Sequence, residues 1–353
     1  MSYKLSLINC AICLISLEIF NSFLIIEFYI LIELMTLIIF INIIILGYNP
    51  ERLKASIYLI SYTFIRSFIF IIILIIIMTL DITLDCRKLE FYINYLNNNF
   101  IRIIIFIPLL IKYPMYIFHY WLPKAHVEAT VDCSIFLAAI MLKLAAYGLF
   151  IIQKLILNIL IQNWLICLGV IGILNLSLNL FNNSDFKKII AYSRVIHISA
   201  ILIFSIFNNN NCWYIAIIIL ISHSFRSSAM FFISRLIFSK LYRRNIIFFK
   251  NCFTMNSWIK FKICILSIIS IPPRLAFFGE VIIFKNLFSF FYSLILIPLL
   301  IVVLIYPIYL IFLLVIVIGF YSSNKNYSWI ESSRRIIIIR NYLLFWIRVL
   351  LFI

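Results

Sequence analysis

The fifteen residues KYPMYIFHYWLPKAH, 112–126, hold two lysines, two histidines and two prolines. Lys112, His119 and His126 are groups that can accept and pass a proton. Histidine does so most readily, because its ordinary titration falls near about pH 6.5. Pro114 removes the backbone donor that would pair with the Leu110 carbonyl, so it predicts a break in any helix here. Pro108 and Pro123 are expected to interrupt the same region. Pro272 and Pro273 repeat the pattern shortly before Glu280.

Five further residues carry similar chemistry inside apolar runs. Glu33 lies in FYILIELMTLIIF and Lys143 in FLAAIMLKLAAYG. Glu280 lies in IPPRLAFFGEVIIF, and His197 and His223 complete the four histidines of the chain. A charge at a bilayer centre costs about 2.5–3.5 kcal/mol on insertion scales, so such groups tend to face protein or water. Lysines near an interface can instead snorkel outward, but short glutamates do so poorly. A buried histidine can also be plain core. Lys112 and His119 are seven residues apart, which puts them on one face of an unbroken helix. The reading these residues favour is a proton or ion path. Transporters place such sites at helix breaks, where irregular backbone lines a cavity.

The elements that must position them follow from composition. The 353 residues are 66% hydrophobic, with a mean hydropathy of +1.17. Continuous apolar runs of 18 or more residues read as membrane helices rather than barrel strands. The expected spans are 5–25, 26–47, 55–79, 100–121, 131–152, 158–180, 188–207, 212–238, 262–284, 290–320 and 336–353. The fold class is an all-α polytopic membrane protein of about 11 transmembrane helices, two of them broken. It forms a single domain, 1–353, with one broken helix in 1–180 and the other in 181–353.

The net charge of +17 is read as the positive-inside bias of membrane loops, not as a nucleic-acid surface. Lys4, Arg52, Lys54, Lys124, Lys187, Lys188 and the basic 240–262 loop fall on one side. Arg87, Lys88, Arg102 and Lys154 fall on the other. This places the N-terminus inside. The eight cysteines are scattered and lack the clustered spacing of a zinc or iron–sulfur site. No GxGxxG or phosphate-binding loop is present. The abundance of Ile, Phe, Asn, Tyr and Lys matches AT-rich codons and hints at an organellar genome.

The stretch IKYPMYIFHYWLPKAHVEATVDCSIFLAAIMLKLAAYG resembles the signature of the antiporter-like membrane subunits. That family is shared by respiratory complex I, the proton-pumping NADH:ubiquinone oxidoreductase, and by Mrp-type cation/proton antiporters. The likeness is greatest to its subunit-4 branch. FYILIELM with NPERLKASIYLISYT, SDFKKIIAYSRVIHIS, SHSFRSSAMFF and PPRLAFFGE follow in the family's order, over roughly residues 25–285.

The resemblance implies a set of roles. Glu33 would pair with Lys112, and Lys143 would be the central lysine. His197 and His223 would lie on the hydrophilic axis, with Glu280 at its exit. His119 and His126 would flank the first break. It also implies a fourteen-helix fold whose first three helices are lost or separately encoded. The expected setting is the mitochondrial inner membrane with the N-terminus in the matrix. The expected partners are neighbouring antiporter-like subunits, phospholipid and a polypeptide supplying the missing helices. No cofactor would lie in this chain; FMN, iron–sulfur clusters and ubiquinone would sit in other subunits. A cation/proton antiporter and a non-pumping structural subunit are the alternatives. The chain departs from the family pattern at Arg66, Arg194, Arg226 and Arg274, which stand where small residues are usual, and at Thr130 and Ile151. Codons read differently in an organelle would account for the arginines; so would a place on the polar axis.

Overall fold

The computed structural model describes residues 2–47, 50–79, 99–153, 159–206 and 210–241. It also describes 244–246, 249, 261–262, 265, 279–282 and 285. The helices are α1 (Ser2–Asn21), α2 (Ile25–Leu46), α3 (Arg52–Thr79), α4 (Asn99–Lys112) and α5 (Trp121–Glu128). After these come α6 (Val131–Phe136), a π-helical turn (Leu137–Met141), α7 (Leu142–Gln153), α8 (Ile159–Phe181), α9 (Phe186–Ile206) and α10 (Asn210–Leu241). Among the described residues there is no extended strand; Asp185 and Asn245 pair in an isolated bridge. Four stretches there are long and apolar enough to cross a membrane: Ile25–Leu46, Val131–Ile152, Ile161–Phe181 and Ile215–Leu241.

The first eight expected spans coincide with helices to within a few residues, with one exception. The span 100–121 is helical only to Lys112, and its remainder is the irregular segment 113–120. Most of 262–284, and all of 290–320 and 336–353, lie outside the described residues, as does Arg274.

Local chemistry explains the boundaries. Gly47 ends α2, its N–H returning to the Ile43 carbonyl at 3.0 Å, and the Arg52 guanidinium caps the Gly47 carbonyl. Pro50 precedes α3, where a missing donor costs nothing. The Thr130 side chain accepts from the Cys133 N–H at the start of α6, the usual work of an N-cap hydroxyl. Within the helices, hydroxyls bond back to the preceding turn. Thr63 reaches Leu59 O at 2.7 Å, Ser67 reaches Phe64 O at 2.6 Å and Ser234 reaches Phe231 O at 2.7 Å. A hydroxyl satisfied on its own helix needs no water, as lipid demands.

The chain divides into two compact units, Met1–Gly172 with His197–Asn208, and Ile173–Ile196 with Asn209–Ile353. In the first, α2 packs against α1 and α3, α3 against α4 and α5, and α4 against α7. Gly148 on α7 makes close approach possible: a Cβ there would sit 2.5 Å from Phe28 Cε1. Large apolar side chains such as Leu14, Ile57 and Phe68 face outward, fully compatible with a lipid surround. In the second unit, Phe186 at the start of α9 packs on Phe249 and Phe261. Its N–H donates to Arg244 O, and Ile246 N–H donates to Ser184 O.

Candidate functional site

The centre of the first unit is a buried ion pair. Lys112, the last residue of α4, places Nζ 2.6 Å from Glu33 Oε1 on α2. Their side chains are 1% and 9% exposed. A carboxylate and an ammonium taken out of water hold together only in good geometry with supporting contacts. Those contacts are present. Thr36 Oγ1 lies 3.3 Å from Glu33 Oε2 while also donating to Glu33 O at 2.8 Å. The Lys112 ammonium stands over the Tyr29 ring, 4.1 Å from its centroid, a favourable cation–π arrangement. Tyr29, Glu33 and Thr36 fall at i, i+4 and i+7, one face of α2.

The lysine is held there because the helix stops. Pro114 falls in the turn that follows, where no backbone donor is needed. Trp121 Nε1 donates to the Ile111 carbonyl at 3.0 Å, filling one of the acceptors a helix end leaves open. Pro108, in contrast, is accommodated inside α4. The expectation that it interrupts the helix is corrected: the break belongs to Pro114. The shared face inferred for Lys112 and His119 also fails, because residues 113–120 are not helical. His119 is instead buried and stacks on two aromatic rings. Its ring lies 4.4 Å from that of Tyr120, tilted 29° from it, and 5.7 Å from that of Tyr116, nearly parallel to it. His126 is on α5 and is fully enclosed.

Lys143 is the second residue of α7, partly buried, and its Nζ donates to Ala138 O at 2.8 Å. Ala138 belongs to the π-helical turn, so the lysine folds back onto the widened turn before it. Such turns recur at functional sites. Nothing in AAIM announces one, because a π-turn depends on an extra residue being tolerated by tertiary packing.

His197 lies on α9 and is half-buried, and His223 lies on α10 and is buried. In the second unit, residues 279–282 are helical and Glu280 is half-buried. A Cβ on Gly279 would lie 2.5 Å from Ile219 Cγ1. Only glycine lets this backbone approach α10 so closely. Ile219 is one turn before His223, so the Glu280 backbone packs one helical turn from that histidine. The structure therefore joins Glu33 directly to Lys112 and brings the Glu280 segment against the histidine helix α10.

Lys187, counted in a loop from the sequence, is in the first turn of α9 and is buried. Arg194 is buried in the second unit with its guanidinium 4.2 Å from the Phe231 ring centroid. Arg226 donates to Ser222 Oγ at 3.1 Å, one turn away. Arg194 thus has a place on the protein side of its helix, whereas Arg226 is half-buried and bonds within its own helix. The Arg66 side chain lies outside the described residues. Tyr29, Thr36, Tyr113 and Trp121 were not singled out from sequence. Their apolar bodies read as ordinary core, and only the tertiary structure shows where their polar atoms point.

A family model described as NADH:quinone oxidoreductase/Mrp antiporter, TM, matches residues 22–306. The chain is 33% identical over 247 residues to a protein named NADH-ubiquinone oxidoreductase chain 4 from Artemia franciscana, covering 69% of this chain and 62% of that one. It is 31% identical over 272 residues to the protein of that name from Albinaria caerulea, covering 76% and 62%. The chain thus spans somewhat under two thirds of the length of these curated relatives. Its fold is shared with a chain in the structure of the membrane-bound sulfane sulfur reductase, an archaeal respiratory membrane complex. The TM-score there is 0.76 at 14% identity, over 94% of this chain and 70% of that one. The chain is an antiporter-like membrane protein and belongs to the NADH:quinone oxidoreductase/Mrp antiporter family.

Proposed function

We propose that the chain is a proton-translocating subunit in the membrane arm of a mitochondrial NADH:ubiquinone oxidoreductase, in the place of chain 4. The observation that carries this is the buried Glu33–Lys112 pair at a helix break, in a chain whose relatives bear that name. NADH oxidation and quinone reduction occur elsewhere in the assembly, where flavin, iron–sulfur clusters and ubiquinone reside. This chain receives that energy as a conformational or electrostatic change.

Glu33 beside Lys112 favours the charged lysine; parting them, away from water, favours its release of a proton. The proton then passes by way of water and histidine toward Lys143. The Ala138 carbonyl, to which Lys143 Nζ donates, is exchanged for water as the proton moves on. The route continues past His197 and His223 to Glu280, with His119 and His126 flanking its first break. The N-terminus faces the matrix. Neighbouring antiporter-like subunits and phospholipid are the partners.

The test is purification of the native assembly in mild detergent, with its subunits identified by mass spectrometry. Flavin-bearing and iron–sulfur subunits alongside this chain are expected. The same run identifies any separate polypeptide supplying the remaining length of the relatives. A preparation containing only antiporter-like membrane proteins overturns the proposal in favour of a cation/proton antiporter.

A further inference from the structure

Tyr113 follows Lys112 directly and is 1% exposed. Its hydroxyl donates to the Ile198 carbonyl at 2.8 Å, across 85 residues of sequence. Ile198 follows His197 on α9. One phenol therefore ties the backbone just past the ion-pair lysine to the backbone just past the histidine. Ile198 lies inside α9, where its carbonyl already has a partner four residues on. The phenol uses the second lone pair of that oxygen. With its hydroxyl proton committed to a carbonyl, Tyr113 is placed to hold geometry rather than to carry the proton.

The rest of the break is held as firmly. Tyr116 packs on α8 at Gly172, where a Cβ would sit 2.6 Å from Tyr116 Cβ. Trp121 closes the Ile111 carbonyl. Between them Ile117 adopts φ 76°, a left-handed conformation that a β-branched residue strongly resists. Strain of this kind persists only where the surroundings over-determine the backbone. The segment 113–120 is thus held at three points, by Tyr113, Tyr116 and the flanking Trp121, and Tyr113 is the one that reaches the His197 turn of α9.

We propose that Tyr113 is a positioning residue: its hydroxyl fixes the Lys112 end of α4 in register with the His197 turn of α9, so that a proton leaving the ion pair meets a set path. This rests on the reading of Glu33–Lys112 as the proton switch.

The test is Tyr113→Phe in the assembled complex, reconstituted in vesicles. The change removes one oxygen and keeps the ring. Loss of one buried hydrogen bond corresponds to about a fivefold fall in the ratio of held to released register. The expected result is a lower number of protons moved per electron at an NADH–quinone rate near wild type. A merely structural role would lower the amount of assembled complex and both activities together, and leave the ratio intact. Thr63→Val removes another buried side-chain bond, within α3, and is expected to leave the ratio unchanged. The double change Glu33→Gln, Lys112→Met tests the underlying reading separately. If it lowers the ratio and Tyr113→Phe does not, the role of Tyr113 is overturned and the switch stands. If it leaves the ratio unchanged, the switch falls and the role of Tyr113 with it. Should assembly of Tyr113→Phe decline, the ratio is read on the fraction that assembles.

Discussion

Glu33 and Lys112 should behave as one unit when either is changed. At 2.6 Å and an effective dielectric constant of about 20, their attraction is about 6 kcal/mol before desolvation is subtracted. Removing one partner leaves an uncompensated charge among buried side chains, which costs about 3–5 kcal/mol. Glu33→Gln strands the ammonium over Tyr29, and Lys112→Met strands the carboxylate without its cation. Two independent losses would sum to about 6–10 kcal/mol, whereas replacing both charges by neutral groups of similar size is often near neutral. The three variants therefore fall short of additivity by about 3 kcal/mol or more. The assay is thermal inactivation of the detergent-solubilised assembly. Both single variants should lose most of the midpoint, and the double variant should regain most of it. If the double variant loses as much as the two singles combined, the pair contributes no mutual stabilisation and the reasoning fails.

Other perturbations test other parts of the site. Deleting Ile140 from the π-turn should convert Leu137–Met141 to ordinary helix and remove the widened turn onto which Lys143 folds. Proton translocation should then fall while quinone reduction continues, as read by vesicle acidification beside NADH oxidation. Gly148→Ala drives a methyl into Phe28 and should destabilise the assembly by about 1–3 kcal/mol, measured as a lower melting midpoint. Gly279→Ala meets Ile219 and should push the Glu280 segment from α10, lowering protons per electron more than the oxidation rate. Trp121→Phe leaves the Ile111 carbonyl without its side-chain donor. It should cost about 1–3 kcal/mol, seen as earlier inactivation on heating.

The helices were legible because membrane spans are written in continuous apolar runs, and seven of the first eight expected spans coincide with helices to within a few residues. The ionisable landmarks were legible for the same reason: Glu33 and Lys112 stand out against lipid cost. Their contact could be inferred only through family resemblance, since they lie 79 residues apart with no local spacing to join them. The break was half legible. Pro114 marked it, but Pro108 carries the same residue type inside an intact helix, because a helix end depends on what caps it. Trp121 supplies that cap from across the break, and periodicity cannot reveal a bond between side chain and distant carbonyl. The π-turn, the Tyr113–Ile198 bond and the burial of Lys187 were hidden likewise, each being a property of packing rather than of pattern.

The most direct measurement is the number of protons moved per electron by vesicles of the assembled complex carrying Glu33→Gln with Lys112→Met. Removing both charges keeps the buried site neutral, so the assembly should persist. NADH-driven quinone reduction should continue while fewer protons cross per electron. An unchanged ratio in a stable, fully assembled complex would contradict the ion pair as a step in the proton path.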